Sequence, residues 1–234
     1  MIKLNCKERY SLLGKIGSRK RWDAVHQKIS LRDGWSKNKT AIHSYLSGDG
    51  YIKIRGFHYE LNFAIDNLEL AQRIVFLFKE EFNISPNIYY IKPKGKGING
   101  FYSIRLGNKP VVLNLLSLGQ YGSLTWDIPN HLQNNLLKEW VKCFFDCEAH
   151  VNKTNNQIQV KSVNYMGLNK IKDTLFKFNI ESRVYGPYKQ RGIAHNPYSM
   201  LIIYKKESVK RYNEIISFYH PSKSATLNSI CRNL

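Results

Sequence analysis

Two acidic residues, Asp49 and Glu148, hold the same place in two stretches of this 234-residue chain. Each ends a helix candidate just where a strand candidate begins, and the two lie 99 residues apart (49 to 148). Two lysines, Lys109 and Lys206, recur at nearly the same offset, 97 residues, so acid and lysine are 60 and 58 residues apart within each stretch. Carboxylates are oxygen ligands of the kind that hard divalent cations take, and an ammonium can stabilise charge on a phosphate in a transition state. Taken singly these residues are ordinary: Gly48-Asp49-Gly50 is a common turn, and Asp146-Cys147-Glu148 reads as a solvated helix end. Two independent markers recurring at one offset are hard to obtain by chance.

The elements that must position them form two similar series. The first opens with a short apolar helix (Ala41, Ile42, Tyr45, Leu46) that stops at Gly48-Asp49-Gly50, because glycine ends helices. Alternation follows, with Ile52 and Ile54 on one face and Lys53 and Arg55 on the other. Tyr59, Leu61, Phe63 and Ile65 then alternate against Glu60 and Asn62. A helix is predicted over 68–82, strands near 87–92 and 101–106, and a helix opening at Lys109-Pro110, where proline is tolerated. The second series runs as a helix over about 130–147, strands near 150–154 and 157–163, and a helix over about 167–178. Strands near 181–185 and 198–204 and a last helix from Lys206 complete it. Each half is αββαββα, an internal duplication of an α+β fold and not a solenoid. The expected boundaries are a basic extension over 1–38, a first repeat over 39–120, a linker over 121–129 and a second repeat over 130–234.

Lys plus Arg number 36 against 17 Asp plus Glu, a formal charge of +19 that calls for a polyanionic partner. Hydrophobic content of 43% and aromatic content of 13% exclude a merely basic disordered chain. No apolar run approaches the roughly 18 residues of a membrane helix. The start, Met1 to Glu8, has no apolar signal core, so an intracellular, cytoplasmic and nucleoid-associated protein is expected. Cys6, Cys143, Cys147 and Cys231 lack zinc-site spacing; buried thiols are expected over a metal set of Cys143, Cys147 and His150. The first forty residues hold 11 Lys or Arg against Glu8, Asp23 and Asp33, either a solvated basic surface or an extension along a nucleic-acid backbone.

Ile42-His-Ser-Tyr-Leu-Ser-Gly-Asp49-Gly50 and Val141-Lys-Cys-Phe-Phe-Asp-Cys-Glu148-Ala149 resemble two copies of the LAGLIDADG signature of homing endonucleases. The tail Phe218-Tyr-His-Pro-Ser-Lys223 is similar to the Phe-x-His-Pro-x-Lys ending of many archaeal-type members, and the resemblance covers residues 38 to about 227. It implies two signature helices packed along a pseudo-twofold axis, with the small Ser44 and Cys143 at the seam. It also implies an antiparallel β saddle of four strands per half with helices on its convex face. The helix ends would then bring Asp49 and Glu148 together over Mg²⁺ or another divalent cation such as Mn²⁺, because adjacent carboxylates repel without one. The backbone carbonyls of Gly48 and Cys147 would help hold the metal. Lys109 and Lys206 take the place of the basic residue near the last strand of each half, with Lys205 a close competitor. Three residues depart from the pattern: His43 and Lys142 replace small or apolar residues, and Ala149 replaces a glycine. If that last position needs positive φ, Ala149 is strained.

On such a saddle, alternation assigns Lys53, Arg55, Glu60, Asn62, Ser103 and Arg105 to the open face of the first half and Gln157, Gln159 and Lys161 to that of the second. These side chains can reach base edges in a major groove, or else simply face water, as polar residues of antiparallel sheets commonly do. The loops over 92–97 and 185–195, with Lys92, Lys94, Lys189 and Arg191, are expected at phosphates or flanking bases. The expected function is a monomeric endonuclease that cuts both strands of a long, asymmetric DNA site. Its rival is an RNA-splicing maturase, with intron RNA as partner, or a DNA-binding regulator on the same scaffold. The Met start, and an end at Ser229–Leu234 without an intein's terminal residues, read as a free-standing, intron-encoded chain.

Overall fold

The computed structural model describes residues 29–93, 99–189 and 196–234. Residues 1–28 of the basic extension, and with them Cys6, lie outside these residues, as do Lys94 and Arg191. The first half runs α1 (Lys37–Ser47), β1 (Gly50–Arg55), β2 (His58–Ile65), α2 (Leu68–Phe82), β3 (Asn87–Ile91), β4 (Phe101–Gly107) and α3 (Lys109–Leu116). The second runs α4 (Asn134–Glu148), β5 (Ala149–Asn152), β6 (Gln157–Ser162), α5 (Tyr165–Lys177), β7 (Arg183–Tyr188), β8 (Tyr198–Ile203) and α6 (Lys206–Ile215). A further helix, α7 (Pro221–Asn233), extends the second half beyond the duplicated series, with Pro221 in its first turn. Residues 130–133 stay outside α4, because His131 is left-handed (φ 65) and Gln133 is extended.

Local chemistry sets most of these ends. Ser36, Asn67, Asn108 and Asn164 cap the starts of α1, α2, α3 and α5 by accepting a backbone N–H. Asn83 closes α2 in the left-handed conformation at φ 54. Helix α1 is buried on every side over residues 39–47, so it lies between the halves and not on the surface.

Each half holds one four-stranded antiparallel sheet, ordered β1-β2-β4-β3 and β5-β6-β8-β7. Leu61, Phe63, Ile65, Ile104 and Leu106 face the first core; Ile158, Val160, Leu201 and Ile203 face the second. Each such side chain contributes about 1.5–3 kcal/mol when fully buried. The helices cover these faces and leave the opposite faces open, forming the two-repeat β saddle. The cores meet at the α1–α4 seam, where Cys143 of α4 packs into the first core and the Ser44 hydroxyl donates to the Trp140 carbonyl. Trp140 and Phe144 stack at 5.0 Å on the other side of α4.

The last residues of the basic extension belong to this body. Ile29 packs on the first core and Trp35 on the second, while the Ser30 amide donates to the Phe82 carbonyl at 3.1 Å. Lys39 is 1% exposed and pairs with the equally buried Glu81 at 3.5 Å. Among the described residues no helix is long and apolar enough to cross a membrane.

Candidate active site and nucleic-acid interface

The seam helices approach so closely at their ends that glycine is required. A Cβ on Gly48 would lie 2.7 Å from Cys147 Cβ, 3.1 Å from its Sγ and 3.7 Å from Glu148 Cγ. Asp49 and Glu148, one residue beyond this contact, are thereby brought together. Burial and then the charge of Asp49 push the Glu148 carboxyl up to about 7, against a partial opposing pull from Lys223. Burial raises Asp49 as well, with Asp66 adding to it, while a hydrogen bond from the Cys147 thiol and the charge of Lys223 act the other way.

The two helix ends turn into their strands differently. At Gly50 a Cβ would lie 2.6 Å from Leu46 Cα and 3.0 Å from the Leu46 carbonyl, so the first turn demands glycine. In the second half α4 runs straight to Glu148, and Ala149 is extended (φ −82, ψ 142) with its methyl buried. The strain expected at Ala149 is absent, because this position has no positive φ. His43, the other departure at the seam, accepts the Trp140 indole N–H at 3.1 Å, and burial lowers its pKa to about 3, so it remains neutral. Lys142 lies 3.9 Å over the Tyr219 ring.

The C-terminal segment straps this seam. Asp146, 1% exposed, accepts from the Tyr45 hydroxyl of α1 and from the amides of Tyr219 and His220. The Lys223 ammonium donates to the carbonyls of Phe145 (3.4 Å), Asp146 (2.6 Å) and Cys147 (3.1 Å), closing the C-terminus of α4. Its charge acts on both Asp49 and Glu148. The sequence pattern contained Lys223 in the tail motif but carried no signal for this role, because the contacts span 76 to 78 residues.

Lys109 and Lys206 stand apart from the acid pair. Lys109 opens α3 beyond the row of Glu60 and Gly107, three residues, about 10 Å, along the strands from the row of Gly50. Its ammonium sits 5.1 Å over the Tyr59 ring. Lys206 is exposed at the start of α6, and its competitor Lys205 pairs with Glu181. The Cys147 carbonyl, expected at the metal, accepts from Lys223, whereas Gly48 lines the central cleft.

That cleft, about 1280 Å³, runs between the open sheet faces and is lined by Glu148, Gly48, Tyr51, Lys161, Lys189 and Tyr198, with Tyr121 and Trp126 among the linker residues at its side. Strand register puts Lys53, Arg55, Glu60, Asn62, Ser103 and Arg105 on one open face and Gln157, Gln159 and Lys161 on the other. Not all of them are accessible. Lys53, Arg55, Arg105 and Lys161 are exposed, and Glu60, Gln157 and Gln159 are half-buried. Asn62 and Ser103 are 3% and 5% exposed: Asn62 lies between Tyr51 and Arg105 in register, and Ser103 accepts from the Arg105 guanidinium. Lys92 and Lys189 are exposed at the loop edges.

Among the described residues no group of three or more His, Cys, Asp or Glu side chains is arranged to hold a metal ion. Asp49 and Glu148 form an oxygen-only pair that fits a hard divalent cation and leaves the other coordination positions to water and phosphate oxygens.

Residues 135–217 match the family model of the LAGLIDADG-like domain. No curated protein matches the chain. Among solved structures it is similar to I-DmoI in complex with DNA and Mn, with a TM-score of 0.56 and 16% identity over 77% of this chain and 97% of that one. For I-DmoI in complex with DNA and Ca the TM-score is 0.56 at 17% identity, over 82% and 99% of the two chains. Full-length DUF199/WhiA from Thermatoga maritima shares 12% identity with a TM-score of 0.56, covering 86% of this chain and 62% of that one. At such identities the structural likeness speaks for the fold. The second half thus carries the match to the LAGLIDADG-like domain over residues 135–217, and the first half repeats the same order of strands and helices.

Proposed function

We propose that this chain is a site-specific, metal-dependent endonuclease that hydrolyses both strands of a long, asymmetric DNA duplex held on the saddle. The observation that carries this reading is the coupled pair Asp49 and Glu148, set at the seam where two open sheet faces meet. The net charge of +19 suits a polyphosphate, and the I-DmoI structures with DNA and Mn or Ca support both the ligand class and the use of a divalent cation. Both halves of the site come from one chain, so a monomer suffices.

Each part of the chain has a task in this reading. Gly48 permits the close approach, and Lys223 fixes the carbonyl end of the helix that carries Glu148. Lys53, Arg55, Arg105 and Lys161 hold the duplex, and Gln157 and Gln159 offer paired donors and acceptors to base edges. Asp49 and Glu148 would hold the cation, with the Gly48 carbonyl beside them. When bound, that cation supplies Lewis-acid polarisation of the phosphate and an activated water. Hydrolysis forms one P–O bond to the water oxygen and breaks one P–O ester bond, and the departing oxygen takes up a proton.

The test is a cleavage selection. The protein is incubated with Mg²⁺ and a randomised duplex library, and the recovered ends are sequenced beside a Glu148→Gln control. Discrete staggered ends that vanish in the control support the nuclease. A second reading, a maturase or regulator that binds without cutting, is favoured by Tyr51, Tyr89, Phe101, Tyr185 and Tyr188, rings exposed on the open faces that could stack on unpaired bases. Enrichment of bound nucleic acid without ends would select that reading.

A further inference from the structure

The outer end of the first sheet carries a hollow at a place where the second half carries a ring. A cavity of about 470 Å³ opens there, lined by Phe57, Tyr59, Glu60, Arg105, Gly107 and Lys109. A Cβ added at Gly107 would meet nothing nearer than the Tyr59 carbonyl oxygen at 4.0 Å, so the space above this residue is open. Gly50 pairs with Phe63 and Ala149 with Val160, which makes Leu61 equivalent to Ile158. Leu106 pairs with Leu61 and Ile203 with Ile158, so the residues that follow, Gly107 and Tyr204, are equivalent too. Arg183 pairs with Ile202 as Asn87 pairs with Arg105, and its guanidinium lies 5.3 Å from the Tyr204 ring centroid. The second half thus holds a planar ring beside a guanidinium where the first half has no side chain. Phe57, at the tip of the β1–β2 hairpin, is 95% exposed, and the left-handed Gly56 (φ 57) beside it has open space around it. Arg105, Lys109 and Glu60 take part in none of the ion pairs among the described residues. An exposed ring rimmed by such charged groups marks a binding surface.

We propose that this cavity takes one unpaired nucleotide of the bound DNA, with its base against the Phe57 ring and its phosphate at Arg105 and Lys109. The inference rests on the reading of the open faces as a DNA-binding saddle and adds a selective site to it. The duplicated half supplies the template, since Tyr204 sets a flat ring at this strand end with a guanidinium beside it. A nucleobase is such a ring, and an aromatic side chain holds any base by its face. A nucleotide also brings a phosphate for the two cations, whereas an apolar peptide side chain would leave them unanswered. Glu60 can accept from an exocyclic amino group such as that of cytosine or adenine. A base inside a duplex has both faces stacked, and turning it out costs free energy that an unpaired nucleotide does not incur. DNA with an unpaired nucleotide therefore binds tighter than the same duplex fully paired. Arg55, beside the hairpin tip, is five residues, about 17 Å, along β1 from Gly50, so this nucleotide lies clear of the acid pair.

The probe is a short duplex carrying one extra, unpaired dA at its centre. It is compared with the same duplex fully paired and with one whose extra residue is abasic. Affinities are measured in EDTA, so that cleavage plays no part. Wild type should bind the dA-bulged duplex at least about 5-fold tighter than the paired one, the lower end of what one stacked base contributes. The abasic bulge makes the duplex as easy to bend but offers no base, and should bind within about 2-fold of the paired duplex. Phe57→Ala should cut the dA preference, and Gly107→Tyr, which gives the first half the ring that the second half carries, should abolish it. The ratio of the two affinities is read within each variant, and a thermal melt checks that the variant is folded. Should Gly107→Tyr not fold, Phe57→Ala, at a solvent-facing tip, decides alone. No dA preference in wild type, an equal preference for the abasic bulge, or a preference that survives in the folded variants would overturn the inference while leaving the saddle and its acid pair intact. No binding to any of the three duplexes would overturn both the inference and the DNA-binding saddle.

Discussion

Glu148→Gln should stabilise the metal-free protein while ending cleavage. Burial and the neighbouring Asp49 push the Glu148 carboxyl from 4.5 to about 7, so the fold prefers its protonated form. A carboxyl raised in the folded state contributes stability that is complete below the unfolded value near 4.5 and is lost as pH rises through about 7. At roughly 1.4 kcal/mol per tenfold change in proton affinity, the ionised group lowers stability at pH 8 by about 3 kcal/mol. Glutamine keeps the shape and removes the charge. One kcal/mol moves the melting point of a chain this long by about 2–4 °C. In EDTA the variant should therefore melt roughly 6–12 °C above wild type at pH 8 and within about 2 °C of it near pH 4. Added Mg²⁺ should raise the wild-type melting point at pH 8 and leave the variant nearly unmoved, because ligand binding stabilises only a fold that retains the site. Fluorescence melts across pH 4 to 8, with and without Mg²⁺, provide the comparison. A variant that melts at or below wild type at pH 8, or a gap that does not change with pH, would refute a coupled carboxylate pair.

Lys223→Met removes the ammonium that closes α4 on three carbonyls, and should lower stability by about 1.5–3 kcal/mol and the cleavage rate by at least 10-fold, with duplex affinity held. Lys223→Arg should restore part of the rate, and a single-turnover assay beside a binding titration separates the two effects. Gly48→Ala drives a methyl to 2.7 Å from Cys147 Cβ, an overpacking of about 1–3 kcal/mol that a second change, Cys147→Gly, should relieve in a thermal melt. Arg55→Ala should reduce the slope of log affinity against log salt by about 1, whereas Gln159→Ala should keep the slope and relax base preference in a site-variant binding panel.

Periodicity and caps made much of this fold readable before any coordinates. The apolar spacing over 68–82 foretells α2 to the residue, because Asn67 and Asn83 cap it where the period ends. Alternation likewise assigns the open-face residues to the correct side of each strand. It does not foretell exposure: Asn62 and Ser103 lie on the open face yet are covered by longer neighbours. Lys109 and Lys206 recur because each opens a helix after the last strand of its half, and equivalence along the chain is not nearness to the acids. The contacts of Lys223 exist only once the tail has crossed the seam.

The most direct test of the central claim uses the recovered target and three variants, Asp49→Asn, Glu148→Gln and the double change. Double-strand cleavage under Mg²⁺ and duplex affinity in EDTA are measured on the same samples. Each single variant should lose double-strand cleavage while binding within a few-fold of wild type, and the double variant should lose little more than either one. Cutting of both strands at the wild-type rate by both single variants would contradict the assignment of the site.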